Sequence, residues 1–283
     1  MRYTRTGLIA ILIAVEIFIA GAIVASAGGL HAFSGVSDAQ TFSYAPYDLP
    51  AVDAGETPHV VIDDHDSHVT VMASADGKIH VTDQTHIAGW GWGARPGRLS
   101  VEKTSDGVMI RRPAAAGRIV IFGFEDGGTQ VEVPAGAALE IRDSSGANIS
   151  DLTGTVSAIS NDGRLTLTNV HSSDISLRTA DGRIMLDKVD ADKLNGETSD
   201  GSIHATDLHV RTGALNTADG SITIALRDAG DVTLHARTAD GSIRFNGVRQ
   251  GDSPADYTFG NGSGSLSVAT QDGSIRVFTN GAN

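Results

Sequence analysis

The sequence contains no cysteine, and this absence excludes disulfide bonds and thiolate metal sites together. It does not exclude export, because a chain of 283 residues can bury a core that needs no covalent cross-links. Aromatic residues are scarce, at 5% of the chain, so large rings cannot dominate the core. Hydrophobic residues nevertheless make up 40% of the chain, which is too apolar for an intrinsically disordered protein.

Basic residues are also scarce. The chain has 21 lysines and arginines against 34 aspartates and glutamates, which gives a formal net charge of −13. A surface of this charge repels the phosphates of nucleic acids, and the sequence contains no basic patch that would offset the repulsion. We therefore predict that nucleic acid is not a partner.

Enzyme motifs are missing as well. The sequence has no glycine-rich dinucleotide fingerprint, no phosphate-binding loop and no HExxH motif. Ser100 and Lys103 have the spacing of an S-x-x-K pair, but the companion motifs of that chemistry are absent. A glycan-cleaving β-helix needs a cleft of carboxylates, basic groups and long loops, whereas this chain has four lysines and mostly short turns. We predict no enzymatic activity, no catalytic residues and no cofactor.

The N-terminus carries the clearest targeting signal. Residues 7–24 read GLIAILIAVEIFIAGAIV, with Glu16 as the single charge. Arg2 and Arg5 precede this run, and no lysine or arginine follows until Lys78. This asymmetry predicts that residues 1–6 stay in the cytoplasm and that the remainder is translocated. The run is also about long enough to span a hydrocarbon core of ~30 Å.

Two interpretations of residues 7–27 remain open. The segment is an uncleaved signal anchor, or it is a signal peptide removed after the small residues Ala25-Ser26-Ala27. The apolar run exceeds the usual signal-peptide length, which favours the anchor. The predicted location is then the inner (cytoplasmic) membrane, crossed once, with the domain in the periplasm or at the cell surface. The alternative is secretion after cleavage near Ala27.

Residues 28–57 are rich in glycine, alanine, serine and proline, and they are predicted to be a linker. Residues 58–283 change to short β-like runs separated by glycine, aspartate and asparagine, and they are predicted to form one repeat domain. The repeat is a Ser/Thr-x-Asp-Gly-x-Leu/Ile block in six copies, of which the first four lie 19 residues apart. The Asp-Gly pairs are Asp162-Gly163, Asp181-Gly182, Asp200-Gly201, Asp219-Gly220, Asp240-Gly241 and Asp272-Gly273, and the aliphatic positions are Leu165, Ile184, Ile203, Ile222, Ile243 and Ile275.

Each position of the block has a physical interpretation. Glycine allows a positive φ at a sharp corner. The aspartate beside it is expected to accept backbone hydrogen bonds, as in an Asx-turn. The alternating residues that follow fit a strand with one buried face. Three further pairs, Asp76-Gly77, Asp106-Gly107 and Ser145-Gly146, look like degenerate copies.

Stacking of the copies would bury the apolar face that a single repeat unit cannot bury alone. The sequence therefore predicts an all-β fold, a parallel β-solenoid (β-helix) of 19–21-residue turns behind the N-terminal transmembrane helix. An antiparallel β-sandwich is the alternative, because Asp-Gly is also a hairpin signal. A second aliphatic column is predicted at Val170, Val189, Leu208, Leu226 and Val248.

The T-x-D-G-S-I blocks, the opening VVIDDHDSHVTV, the closing GNGSGSLSVATQDGSIRV and the N-terminal apolar run resemble the bacterial putative-adhesin family of β-strand-repeat proteins. The resemblance covers residues 58–283. It implies an exported β-helix-like domain, often behind a membrane anchor, with no established activity. The stretch HIAGWGWGARPG departs from the repeat and is interpreted as an insertion.

Three features are candidate sites. The aspartates of the repeat could bind cations, but we interpret them as structural turn residues. The segment from His59 to His68 concentrates possible metal ligands, but we interpret DDHDSH as a solvated connection between two strands. Trp90 and Trp92 either bind a partner or cover the end of the solenoid.

The predicted function is an exported scaffold that contacts the membrane through residues 7–27 and binds an envelope protein or glycan. The alternative is an envelope-stress or signalling accessory protein.

Overall fold

A computed structural model describes residues 40–65, 67–92, 97–113, 119–227, 231–250 and 254–279 of the chain. All regular secondary structure in these ranges is β-strand. Across the same ranges, no helix is long and apolar enough to span a bilayer. The predicted transmembrane segment at residues 7–27 lies outside the described residues.

The described ranges contain 23 strands, and they form one sheet of three strands and one of 20 strands. The strands are β1 Gln40–Tyr44, β2 Tyr47–Asp48, β3 His59–Asp63, β4 His68–Ala73, β5 His80–Asp83, β6 His86–Trp92, β7 Ser100–Lys103, β8 Gly107–Arg111, β9 Ile119–Asp126, β10 Gly128–Val133, β11 Ala138–Ser144, β12 Ala147–Ser150, β13 Val156–Ser160, β14 Leu165–Thr179, β15 Ile184–Thr198, β16 Ile203–Thr217, β17 Ile222–Leu226, β18 Val232–Asp240, β19 Ile243–Phe245, β20 Val248–Arg249, β21 Ala255–Thr258, β22 Gly264–Asp272 and β23 Ile275–Thr279.

The large sheet is a solenoid of stacked parallel coils, as the 19-residue period predicts. Strands β14, β15 and β16 pair in parallel along nearly their whole 15-residue length. Each of these strands changes direction at one residue with left-handed backbone, namely Asn169, Lys188 and Asp207. We call the strand segments that follow the Asp-Gly corner the front wall and those that precede it the back wall. The alternative of an antiparallel sandwich is wrong for these coils.

The core is a set of aliphatic columns between the two walls. Leu165, Ile184 and Ile203 lie directly opposite one another in successive coils, and each is at most 1% exposed. Outward residues alternate with them along each strand, as expected for a wall with one buried face. Parallel in-register pairing therefore converts a repeated sequence position into a continuous hydrophobic interior.

The stacking order departs from the sequence order at the C-terminal end. Ile275 of β23 lies between Ile222 of β17 and Ile243 of β19. Strand β22 is inserted in the same way between the back-wall half of β16 and β18. The Asp-Gly corners are therefore stacked in the order 162, 181, 200, 219, 272 and 240. Strands β22 and β23 come last in the sequence but lie between the earlier coils and the strands β18 and β19.

The second aliphatic column ends one coil earlier than predicted. Val170, Val189, Leu208 and Leu226 are buried, whereas Val248 is 62% exposed. The chain leaves the stack after β19 through a tight turn at Asn246-Gly247, both with positive φ, and β20 pairs back on β19 in antiparallel fashion. The prediction for Val248 is wrong because this turn removes it from the coil.

Antiparallel strands cover both ends of the solenoid. At the N-terminal end, β5 pairs with β10, β7 with β8, and β2 with β5. At the C-terminal end, β21 pairs with β18. Of the three predicted degenerate copies, Asp76-Gly77 lies in the turn before β5, and Asp106-Gly107 lies where the chain reverses into β8, which begins at Gly107. Only Ser145-Gly146 lies in the corner stack, directly against Gly163.

The region predicted to be a linker is shorter than residues 28–57. Strand β1 joins the three-stranded sheet, β2 joins the solenoid, and Val52 bridges to Ile79. The aliphatic surface of Leu49 and Val52 also packs against the core. Residues 40–52 therefore belong to the folded part of the chain, although their composition resembles a linker.

Candidate functional surfaces

The Asp-Gly corner is built by close approach of adjacent backbones. A Cβ on Gly182 would lie 1.9 Å from the carbonyl oxygen of Gly163 in the preceding coil, which no side chain tolerates. The corner glycines are not among the described residues with positive φ, so the expectation of left-handed glycine here is wrong. Glycine is required because the neighbouring coil fills the space of its Cβ.

The hydroxyl two residues before each aspartate holds the corner together. The Thr198 Oγ1 accepts a hydrogen bond from the backbone N–H of Gly201 at 3.2 Å. The same oxygen lies 2.9 Å from the carbonyl oxygen of Gly182, to which it donates, in the preceding coil. Thr179 repeats both bonds, Thr217 repeats the bond to the preceding coil, and all three threonines are buried. The threonine thus joins consecutive coils.

The six corner aspartates are exposed. Within the described ranges, no hydrogen bond or ion pair involves their carboxylates, so the expected Asx-turn is wrong and the threonine accepts the bond instead. Neighbouring coils place these carboxylates at roughly 4.8 Å intervals along one edge. No group of three or more His, Cys, Asp or Glu side chains in the described ranges is arranged to hold a metal ion.

A buried ion network lies at the N-terminal end of the corner stack. The guanidinium of Arg112 donates to Asp64 at 2.9 Å and to both carboxylate oxygens of Asp83 at 2.9 and 3.0 Å. Both aspartate side chains are fully buried and that of Arg112 is 5% exposed. Thr129 accepts a further bond from Arg112 at 3.1 Å and donates to Asp64.

This network holds a charge inside the protein. Burial opposes the charge of Arg112, but the hydrogen bonds and charges of Asp83 and Asp64 outweigh burial, so the pKa of Arg112 is raised. The network is closed to solvent and therefore positions the chain instead of binding a ligand. It joins the corner at Asp64 to the segments that lead into β6 and β9, which begin shortly after Asp83 and Arg112.

The prediction that DDHDSH is a solvated connection is wrong for Asp64. Strands β3 and β4 flank the segment as expected, and His65 is exposed. Asp64 is buried because its partner Arg112 comes from a point 48 residues later in the chain. The local sequence gives no sign of this pairing, since an aspartate in a polar run is usually solvated.

The outer face of the front wall has an open depression of about 360 Å³. It runs across three consecutive coils. One side is lined by the residues that immediately precede each strand, and the other side by the second residue of each strand. Its lining residues are Arg183, Met185, Ser202, Ile203, His204, Ser221 and Thr223. We call this depression the front groove. It presents hydroxyls, a guanidinium and an imidazole beside one thioether.

Basic groups on the front wall have no ion-pair partner among the described residues. Arg244 and Arg276 lie directly opposite one another in adjacent strands, where like charges are unfavourable. On the back wall, by contrast, several charges are matched between coils. Lys193 lies 3.3 Å from Asp174, and the Arg211 side chain lies 3.2 Å from Asp192.

The three-stranded sheet of β1, β6 and β9, here the small sheet, contains Trp90 and Trp92 on its central strand. Strand β6 pairs in antiparallel fashion with β1 on one side and with β9 on the other. Among the described residues, no strand of the small sheet pairs with a strand of the solenoid. The interpretation of this stretch as an insertion stays a prediction, and the separate sheet agrees with it.

The geometry of the described residues defines a class: an all-β repeat protein whose parallel coils are stacked in register on threonine and glycine corners. Residues 142–278, just under half of the chain, match the family model Toastrack DUF4097. The match begins in β11 and ends in β23 and leaves out the small sheet. No curated protein matches the chain.

Several solved structures are similar to this chain at low identity. One is described as a putative cell adhesion protein from Clostridium sporogenes, with 10% identity, a TM-score of 0.37, and coverage of 83% of this chain and 99% of that one. Another is described as a putative adhesin from Bacteroides fragilis, with 11% identity, a TM-score of 0.46, and coverage of 83% and 96%. A third is described as a putative lipid binding protein from Parabacteroides distasonis, with 10% identity, a TM-score of 0.39, and coverage of 82% and 96%.

Proposed function

We propose that the chain is an exported, membrane-tethered scaffold whose β-solenoid presents the front groove for adhesin-like, non-covalent binding of an envelope protein or glycan, without catalysis. The observation that carries this proposal is the contrast between the two walls. The back wall pairs Arg178 with Glu197 and Lys193 with Asp174 between coils, whereas the front wall leaves Arg183, Arg244 and Arg276 without a carboxylate partner among the described residues.

The chemistry of the front groove suits an extended polymer. Hydroxyl, imidazole and guanidinium donors recur from coil to coil at roughly 4.8 Å, which is the spacing of adjacent strands. Ser202 and Ser221 occupy equivalent positions in consecutive coils, and so do His204 and Thr223. A flexible chain that carries hydroxyl or acidic groups could contact several coils at once, and its affinity would come from repeated weak contacts.

The rigidity of the scaffold supports the same role. Corner hydrogen bonds and aliphatic columns occupy the interior of every coil between β12 and β18, and the buried ion network is closed to solvent. Binding on a preformed face costs little conformational entropy. The proposed tether comes from the apolar run at residues 7–24 and from the arginines that precede it.

The test uses the full chain in detergent, labelled with a fluorophore and incubated with isolated cell-envelope material. We expect saturable binding of the wild type and a loss of affinity of about ten-fold in the variant Arg183→Ala/His204→Ala, equivalent to ~1.4 kcal/mol. Protease or glycosidase treatment of the envelope material shows whether the bound component is protein or glycan.

A matched variant on the back wall, Asn195→Ala/Arg237→Ala, removes one polar and one basic exposed side chain and should bind as the wild type does. The tether is tested separately by extraction of cell membranes with alkaline carbonate. The proposal is overturned if binding does not saturate, if both double variants lose affinity equally, or if the chain is found in the soluble cytoplasmic fraction.

A further inference from the structure

Three arginines form a row at the C-terminal end of the front wall. Arg276 of β23 lies directly opposite Arg244 of β19, and Arg244 lies directly opposite Arg249 of β20. All three side chains are exposed. Adjacent strands are ~4.8 Å apart, so the three residues occupy a line of roughly 10 Å across the strands. Like charges in directly opposite positions destabilise a sheet, and the fold gains nothing from this arrangement. We call these three residues the arginine row.

A defined turn places the third arginine in the row. Asn246 and Gly247 have positive φ and reverse the chain, so that β20 returns along β19. The Asn246 side chain donates a hydrogen bond to the Thr279 hydroxyl at 3.2 Å and accepts one from the Thr279 N–H at 3.1 Å. The turn is therefore fixed to β23, and it holds Arg249 beside Arg244.

The strands that carry the arginine row contain no acidic residue. No aspartate or glutamate occurs at residues 220–227, 241–251 or 273–283, although the chain has 34 of them. These stretches include β17, β19, β20 and β23. The row is thus a local concentration of positive charge in a chain whose net charge is −13. An anion bound from solution would offset the repulsion between its members.

An exposed aromatic ring lies on the same face as the row. Phe278 follows Arg276 by two positions on β23, and the residues between and before them, Val277 and Ile275, are buried. The Phe278 side chain is 40% exposed, and the residue opposite it in β17 is the small Ala225. An exposed ring contributes nothing to the core, but it offers a flat apolar surface to a ligand.

The arginine row continues the front groove. Thr223 lines the groove and lies directly opposite Arg276 in the neighbouring strand. Beside the row, the hydroxyls of Ser242 and Ser274 are 3.4 Å apart. One ligand that lies along the stacking direction would therefore contact hydroxyls, guanidinium groups and an aromatic ring in succession.

We propose that the ligand of the front wall is an acidic polysaccharide, with its carboxylate or phosphate groups on the arginine row and a sugar ring against Phe278. This inference rests on the proposed function, because it names the class of ligand that the scaffold binds. Guanidinium groups bind carboxylate and phosphate through two parallel hydrogen bonds. The serine and threonine hydroxyls are suited to sugar hydroxyls, and the apolar face of a sugar ring is suited to phenylalanine.

The narrowness of the row favours a single polymer chain over a broad anionic surface. The corner carboxylates of Asp272 and Asp240 are exposed, and each precedes an arginine of the row by four residues, or at most ~14 Å of chain. A flat bilayer of anionic lipid would meet these carboxylates together with the arginines. A nucleic acid, with a phosphate on every nucleotide, is repelled by the acidic surface around the row. A polysaccharide can follow the row alone.

The test measures binding of the full chain, in detergent and labelled with a fluorophore, to two purified polymers. Polygalacturonate carries a carboxylate on every sugar, and dextran of similar length is neutral. We expect saturable binding of polygalacturonate at an affinity at least ten-fold higher than that of dextran. Added salt should weaken the binding of polygalacturonate and leave that of dextran unchanged.

Variants locate the contact. Arg244→Ala/Arg276→Ala should lower the affinity for polygalacturonate about ten-fold or more. The matched control Arg178→Ala/Arg237→Ala removes the same charge from exposed positions on the back wall and should bind within about two-fold of the wild type. Phe278→Ala should weaken binding several-fold without removing its salt dependence. All of these side chains are exposed, so the variants should unfold at the same urea concentration as the wild type.

The outcomes separate this inference from the proposed function. If the chain binds envelope material saturably but binds polygalacturonate no better than dextran, the scaffold role stands and the inference is overturned. If it binds neither envelope material nor polygalacturonate, the proposed function fails and the inference falls with it. Equal losses in the two double variants overturn the inference, because the effect would then come from net charge. Stronger competition by oligodeoxythymidylate, or by phosphatidylglycerol added to the detergent micelles, also overturns it, since the preferred ligand would then be a nucleic acid or a lipid.

Discussion

The carbonyl oxygen of Gly182 occupies the space that a side chain on Gly201 would need, since a Cβ there would lie 1.8 Å from that oxygen. The backbone of one coil therefore rests directly on the glycine of the next. Asp200, the neighbour of Gly201, is exposed and makes no described side-chain hydrogen bond. Two adjacent residues of the same motif thus differ completely in their structural importance.

Replacement of Gly201 by alanine should separate two coils. We expect Gly201→Ala to lower the free energy of unfolding by about 2–3 kcal/mol, because backbone atoms must move to admit the methyl group. Asp200→Ala should change it by less than about 0.5 kcal/mol. Chemical denaturation of both variants measures the difference. Equal losses in the two variants would contradict the structural reading of the corner.

Loss of the corner hydroxyl should also weaken the stack. Thr198→Val keeps the shape of the side chain but leaves the N–H of Gly201 and the carbonyl of Gly182 without this buried partner. We expect a loss of about 1–3 kcal/mol in the free energy of unfolding. Thr223→Val, on the outer wall, is the matched control and should stay within about 0.5 kcal/mol of the wild type.

Lys188 is a site for stabilisation. Its φ of 54° lies in the left-handed region, which asparagine and glycine adopt at lower cost than lysine. The equivalent position in the preceding coil is Asn169. We expect Lys188→Asn to raise the free energy of unfolding by about 1 kcal/mol. Lys193→Asn, in an extended strand, should bring no gain, and a gain there would indicate an effect of charge instead of backbone.

The buried ion network should be intolerant of partial removal. Arg112→Met leaves the carboxylates of Asp64 and Asp83 buried without their cation, and we expect a loss of about 3–5 kcal/mol. Replacement of all three charges, in Arg112→Met/Asp64→Asn/Asp83→Asn, should recover part of the loss. Arg178→Met, which removes an exposed pair with Glu197, should cost less than about 1 kcal/mol. If the triple variant were no more stable than Arg112→Met, burial of unpaired charge would not be the cause.

Glu140 should make stability depend weakly on pH in the acid range. A hydrogen bond from Arg142 at 2.6 Å lowers the pKa of Glu140 below its usual 4.5, and His59 adds to the effect. A carboxyl whose pKa is lower in the folded state stabilises the fold above its unfolded pKa, and this contribution disappears as the pH falls through the folded pKa. We expect Glu140→Gln to be slightly less stable than the wild type at neutral pH, by less than about 1 kcal/mol. The difference should vanish in strongly acidic buffer, and a difference that grows on acidification would contradict this sign.

Periodicity in the sequence was sufficient to predict the parallel coils and the burial of Ile184 and Ile203. A residue that recurs at a fixed interval after the same corner must occupy the same place in every coil. The sequence predicts the wrong role for the corner glycine, because left-handed backbone and close approach both favour glycine. Local sequence cannot distinguish the two, since they differ only in what the next coil places beside Gly201.

Long-range partners account for the remaining errors. Asp64 is buried only because Arg112 returns to it from 48 residues away. The exchange in stacking order of the last two copies is equally invisible locally, since TADGSI around Asp240 and TQDGSI around Asp272 have nearly the same spelling. Which copy is inserted depends on the path of the chain between β19 and β22, and the sequence of the repeat itself does not determine that path.

The insertion of β22 and β23 between earlier strands sets an order of events for a chain made from its N-terminus. When β18 and β19 have been synthesised, the surface on which they will finally lie does not yet exist, because β22 and β23 supply it. The last two coils can therefore reach their final pairing only after β22 and β23 have been synthesised. A chain that stops before Gly264 would retain an open edge at that point, ready to pair with another molecule.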